Sequence, residues 1–125
     1  MADTAQERVV ALFTGSRGWK DWEAIKHDVY ALPMHALVVH GACPSGADRM
    51  VQRAAEGRGL HVAAIGARWD CYGKAAGYKR NAVMLLTQPT IVYAYPLGAS
   101  PGTRMMIRLA QDAGIPVLDR SPVIA

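Results

Sequence analysis

The sequence predicts an α/β fold whose sheet is mostly parallel and about five strands wide. Two observations lead there: short strand-like runs alternate strictly with helical patterns, and the connections between them fall into two unequal sets. The clearest instance is ALVVHGACPSGAD, residues 36–48, where a short apolar run breaks into a loop of glycine, proline and small polar residues. A β-branched-rich run of that length reads as a strand buried on both faces, and such strands belong to parallel sheets flanked by helices.

The first strand is read at residues 9–13 and is followed by a helical pattern over 19–31. A second strand at 37–40 leads into a helix over 47–58, with Ser45 and Asp48 spaced as the cap and third position of a capping-box variant. Strands at 62–65, 91–95 and 116–118 alternate with helices at 78–86 and 105–113. Such alternation implies right-handed β-α-β units and a Rossmann-like three-layer sandwich. With no internal repeat, low-complexity tract or linker, residues 1–125 read as a single domain ending in a short tail at 121–125.

Composition narrows the function classes. Of 125 residues, 51% are hydrophobic and 19% charged, which excludes a disordered or membrane-embedded chain. No run reaches the roughly 18 apolar residues of a bilayer span, and residues 1–8 lack the apolar core of a signal peptide, so no membrane contact and a cytoplasmic location are expected. Cys43 and Cys71 form no C-x-x-C, and His27, His35 and His61 have no metal-ligand spacing. Neither a metal nor a cofactor is expected, and the reducing compartment argues against a disulfide. The net charge of +4 is spread along the chain, so nucleic acid is an unlikely partner while phosphate-bearing small molecules fit.

The helix-to-strand connections are brief, whereas the strand-to-helix connections are longer and chemically richer. These are GSRG at 15–18, GACPS at 41–45, GARWDCYGKAAG at 66–77 and PLGASPG at 96–102. All four emerge at the carboxyl ends of the strands, where open α/β sheets bind ligands. A phosphate is expected at the turn bracketed by Gly41 and Gly46, because backbone N–H groups at a strand-to-helix turn favour anions. The bland alternative is that these glycines only permit tight turns. Ala47 and Asp48 replace the lysine and hydroxyl residue of a P-loop, which excludes that NTPase class. Residues 15–18 do not form G-x-G-x-x-G, and the second strand ends in His40 rather than an acidic ribose ligand, which excludes a standard NAD dehydrogenase.

Gly77, Arg80, Asn81 and Met84 follow at i, i+3, i+4 and i+7, along one helical face. Met84 belongs to the core, so Arg80 and Asn81 point inward or across the sheet's carboxyl edge. A guanidinium there requires a ligand anion or an internal salt bridge. Trp69 and Tyr72 either stack on a base or cover the core, and packing is the expectation for Trp69. Cys43 lies in the phosphate-loop candidate without an identifiable base.

Taken in order, these residues resemble the YpsA-related (YspA-like) branch of the SLOG superfamily. The likeness rests on Gly15-Ser16-Arg17, His40-Gly41 with Gly46-Ala47-Asp48, Trp69, Ala76-Gly77, Arg80-Asn81-x-x-Met84 and Gly102-Thr103. It implies a Rossmann-like domain that binds, and in some branches cleaves, nucleotides and their derivatives; many members are inferred sensors in bacterial and phage conflict systems. The related LOG phosphoribohydrolases carry an arginine-lysine pair and a P-G-G-x-G-T-x-x-E signature. Arg80 matches their arginine, Asn81 replaces the lysine, and Met106 stands where their catalytic glutamate lies. Methionine supplies no acid/base chemistry.

The resulting expectation is a binder of a phosphorylated nucleoside or ADP-ribose-like molecule, acting as a sensor or a sequestering protein. Phosphate falls to the Gly41–Gly46 turn with Ser45, to Gly15-Ser16-Arg17 and to Gly102-Thr103. Arg80 adds a charge-assisted contact, Asn81 or Asp48 reads hydroxyl groups, and His40 and Trp69 complete the ligand-binding set. Two alternatives stay open: a nucleotide N-glycosidase using Asp48 or Asp70 as its acid, and single-stranded nucleic-acid binding, suggested by resemblance to the DNA-processing protein DprA. A homo-oligomer is expected only from the resemblance.

Overall fold

The structure, a computed structural model, describes residues 7–122. Its strands are β1 (Val10–Gly15), β2 (Leu37–His40), β3 (His61–Ala64), β4 (Ile91–Tyr95) and β5 (Val117–Asp119). The helices are α1 (Trp22–Tyr30), α2 (Gly46–Arg58), a single turn α3 (Trp69–Tyr72), α4 (Ala76–Leu85) and α5 (Pro101–Asp112), with a 3-10 turn at Gly73–Ala75. The strands form one all-parallel sheet in the order β3-β2-β1-β4-β5, the Rossmann-like arrangement.

Each face of the sheet buries its own apolar layer. Ala11, Phe13, Val38 and Tyr95 meet Ile25 and Val29 of α1 and Val51, Ala54 and Ala55 of α2. Leu12, Val39 and Val92 meet Met84 of α4 and Met106 and Ala110 of α5 on the other face. Alternation along β1 thus feeds both layers, which is why its run is continuously apolar. Phe13 is fully buried and stacks on Tyr93 at 4.6 Å between ring centroids, burial worth about 1.5–3 kcal/mol.

A polar tie spans the first layer. Asp28 of α1 accepts from the Tyr95 hydroxyl at 2.7 Å, and Arg120 after β5 donates to it twice, at 2.8 and 3.1 Å. These bonds satisfy a carboxylate that is only 4% exposed.

Element boundaries differ from the sequence reading at the ligand-facing ends. β1 runs two residues further because Gly15 pairs with Tyr95. Helix α1 begins at Trp22 rather than 19, because Asp21 caps it by accepting from the Ala24 N–H. Helix α4 starts at Ala76, and α3 and the 3-10 turn occupy most of what reads as loop. Helix α5 starts at Pro101 instead of 105, since Ser100-Pro101 supplies a cap position followed by proline at the first helical position. Residues 1–6 and 123–125, which carry the leader expectation and most of the tail, lie outside the described residues.

Candidate functional site

The order of strands reverses between β1 and β4, and a crevice opens beyond their carboxyl ends. It forms a cavity of about 880 Å³, within the range of small-molecule sites. All four strand-to-helix loops contribute to its lining, as does the buried face of α4. Eleven of the thirteen residues expected from the sequence line it: Gly15, Ser16, Arg17, Gly41, Ser45, Asp48, Trp69, Arg80, Asn81, Gly102 and Thr103. His40 and Gly46 do not.

Gly46 instead joins two loops. Its φ of +68° suits glycine, and a Cβ there would collide with the backbone carbonyls of Ser16 and Arg17. The neighbouring Ala47 N–H donates to the Ser16 carbonyl at 3.1 Å. Gly15 is the complementary joint, because a Cβ would run into Ala47 and Tyr95.

The second loop is largely satisfied from within. Buried His40 accepts the Ala42 N–H at Nδ1 (2.9 Å), which leaves Nε2 to donate to Gln52 Oε1 at 2.6 Å. Ser45 occupies the cap position of α2 but makes no side-chain cap bond, so the expected capping box is absent. Asp48 turns the other way and accepts the Cys43 N–H at 3.1 Å. Several N–H groups expected to hold phosphate therefore already have protein acceptors.

Burial pushes the Asp48 carboxyl above the usual carboxylate range, against the opposing pull of the Cys43 N–H and the Arg80 charge. The Asp48 carboxyl lines the cavity, where it can hydrogen-bond a ligand hydroxyl or amine. Asp70, the other acid considered, lies outside the cavity lining and pairs with Arg68 at 3.3 Å on the surface.

Arg80 lies beside Asp48 at the same loop: a Cβ on Gly41 would strike the Arg80 guanidinium and meet an Asp48 carboxyl oxygen, and the Arg80 charge acts on that carboxyl. Arg80 donates Nη1 to the Gly41 carbonyl at 2.6 Å and Nε to Asn81 Oδ1 at 2.9 Å. Of its five N–H groups, three have no protein acceptor among the described residues, and no carboxylate lies within ion-pair distance. The internal salt bridge considered for Arg80 is therefore not formed. Gly41 makes this approach available, because a Cβ would strike the guanidinium. Asn81, only 2% exposed, passes the network on by donating Nδ2 to the Gly102 carbonyl at 3.1 Å.

At the start of α5, proline 101 has no N–H, and the N–H groups of Gly102 and Thr103 precede the first helical acceptor. They present an anion-favouring helix end to the cavity that Arg80 also lines. Arg17 reaches the mouth, with its guanidinium carbon 5.8 Å from the centre of the Trp69 ring. Trp69 is 50% exposed there, so it does not cover the core as expected from the sequence.

Three features were missed or misplaced in the sequence reading. Tyr78, half-exposed on the first turn of α4, lines the mouth, and its signal was the Gly77-Tyr78 step onto the ligand-facing helix. Ser100 adopts a left-handed backbone conformation beside the cavity and donates to Thr103 Oγ1 at 3.0 Å. Met106 is fully buried in the α4–α5 layer and does not line the cavity. Among the described residues, no group of three or more His, Cys, Asp or Glu side chains is placed to hold a metal ion.

This geometry places the chain in the Rossmann-like α/β class, with a small-molecule-sized cavity at its switch point. Residues 8–72, from the start of β1 through α3, match the YspA, cpYpsA-related SLOG family (YAcAr). The chain is also similar to the Gene 61 protein of Mycobacterium phage D29, with 40% identity over 117 residues, covering 86% of this chain and 93% of that protein. The protein belongs to the YspA, cpYpsA-related SLOG family. Arg80, Asn81, Gly102 and Thr103 lie beyond the segment matched to the family, so their assignment rests on the cavity itself.

Proposed function

We propose that this protein binds a nucleotide or nucleotide-derived ligand of the ADP-ribose type and acts as a sensor or a sequestering protein. The observation that carries the reading is the cavity's polarity. Open donors from Arg80, Arg17 and the start of α5 line the cavity together with one buried carboxyl, Asp48, which lies beside Arg80. Phosphate belongs on Arg80, Arg17 and the α5 start, a ribose diol or base amine on the neighbouring Asp48, and the base near Trp69 and Tyr78 at the mouth. Membership of a SLOG family supports a nucleotide-related ligand, and no helix among the described residues is long and apolar enough to cross a membrane.

The same reading makes the protein a binder rather than a hydrolase of nucleoside 5′-monophosphates, because the residue in the glutamate position, Met106, faces the core. A second reading, N-glycosidase, draws support from Asp48, whose burial raises its pKa toward general-acid use. Native mass spectrometry of freshly purified protein tests the binder: a retained mass matching a nucleotide supports it, and the same spectrum reports whether copies assemble. Chromatographic assay of base release separates the two readings. Efficient turnover that is lost in Asp48→Asn would replace the binder with the enzyme.

A further inference from the structure

Resting on the nucleotide reading of the main cavity, we propose that the ligand has two nucleotide units and that the second is received by a separate groove between α1 and α2. This groove, about 270 Å³, is lined by Trp22, Gly46, Arg49, Met50 and Arg53. It adjoins the main cavity across one ridge: Gly46 is at its head, the preceding Ser45 lines the cavity, and Gly46 packs on the Ser16–Arg17 backbone.

The groove's chemistry is that of a ring-and-phosphate receptor. Trp22 and Met50 offer an indole and a thioether to a flat ring, and base–aromatic stacking tolerates any base. Arg49 and Arg53 are four residues apart on one helix face, both exposed, with no hydrogen bond or ion pair among the described residues. Like charges at that spacing repel, and a bound phosphate converts the repulsion into two charge-assisted contacts. No carboxylate lines the groove. The groove is too small for a whole nucleotide but can take one base while its phosphate meets the arginines. A phosphodiester-linked dinucleotide would then place one unit in each concavity.

The test is calorimetry with matched probes of the four bases: nucleoside 5′-monophosphates, 5′-phosphorylated linear dinucleotides and pentanucleotides. For at least one base, the wild-type protein is expected to bind the dimer tenfold or more tighter than the monomer. The exposed double variant Arg49→Ala/Arg53→Ala, checked for an unchanged melting temperature, should leave monomer affinity intact and reduce dimer affinity to the monomer's. A wild-type protein that binds monomer and dimer equally, or a double variant that retains the dimer's advantage, overturns the second subsite and leaves the main-cavity reading standing. Binding of neither overturns the two-unit ligand, and overturns the main-cavity reading as well when ADP-ribose, titrated alongside, is also unbound. A further large gain from dimer to pentamer overturns the two-unit ligand in favour of a nucleic-acid track.

Discussion

Replacing Arg80 with alanine separates a ligand-binding role from a structural one. Two of its N–H groups hold the protein together, through Gly41 and Asn81, and three face the cavity without a protein acceptor among the described residues. Loss of charge-assisted bonds to an anion costs about 1.5–3 kcal/mol, or roughly 10- to 150-fold in Kd. The structural loss is separate. Asn81 Oδ1 and the Gly41 carbonyl lose their donor, and a buried unsatisfied group costs about 1–3 kcal/mol. The vacated space opens onto the cavity, so water replaces part of that loss, and about 1–2 kcal/mol of stability should disappear. Calorimetry with the nucleotide identified by native mass spectrometry measures the first quantity, and urea unfolding the second. Arg80→Lys should fall between, since it keeps the charge but not the planar fork. A folded Arg80→Ala protein that has lost stability but binds the nucleotide with unchanged affinity would refute the anion-binding role.

Four other substitutions probe the frame and the site. Asp48→Asn removes a buried charge. Because the folded carboxyl titrates above its ordinary value, its stabilising contribution is full at pH below the ordinary carboxylate range and is lost as pH rises through the folded pKa. The variant should therefore be more stable than wild type at pH 7, with the advantage vanishing near pH 3–4 in thermal melts; an advantage independent of pH would remove burial as its cause. Arg120→Ala leaves Asp28 with only the Tyr95 hydroxyl and should cost about 2 kcal/mol in urea unfolding, below the 3–5 of a fully buried pair because 40% of the Arg120 side chain is exposed. Gly46→Ala should cost more than the roughly 1–2 kcal/mol of a left-handed alanine, since the added carbon meets the Ser16 and Arg17 backbone. Gly102→Ala has open space around it and should leave the melting temperature within a few degrees while weakening the ligand.

The sheet was legible because its signals are local. The β-branched run at 37–40 and the aromatic run at 91–95 announce buried parallel strands wherever they occur in the chain. The stripe through Gly77, Arg80, Asn81 and Met84 was legible for the same reason, and Asn81 and Met84 are indeed buried. Loop two was not, because the outcome depends on partners distant in space. Whether the Ala42 and Cys43 N–H groups are free is decided by how His40 and Asp48 turn, and the approach of Arg80, 39 residues away, settles what the Gly41 carbonyl does. Spacing identified Ser45 and Asp48 as a capping pair, but the carboxylate found a nearer donor. Met106 illustrates the same limit, since matching a motif position says nothing of which side of α5 the side chain occupies.

Those long-range details change the site's logic more than its membership. A loop with free N–H groups and no carboxylate would place phosphate at Gly41–Gly46, as P-loops do. Here His40 and Asp48 take up N–H groups of that turn, while Arg80 and the start of α5 present open donors to the same cavity. A guanidinium and a carboxyl side by side suit a ligand that carries an anion and hydroxyls close together, the anion on Arg80 and the hydroxyls on Asp48. Asn81 links the second loop to the start of α5: through Arg80 it reaches Gly41, and through its amide it reaches Gly102. A small neutral residue at position 81 thus fits where a second cation would crowd Arg80, and the consequence of that exchange is a candidate anion site with one fixed cation on this helix, the Arg80 guanidinium, instead of two.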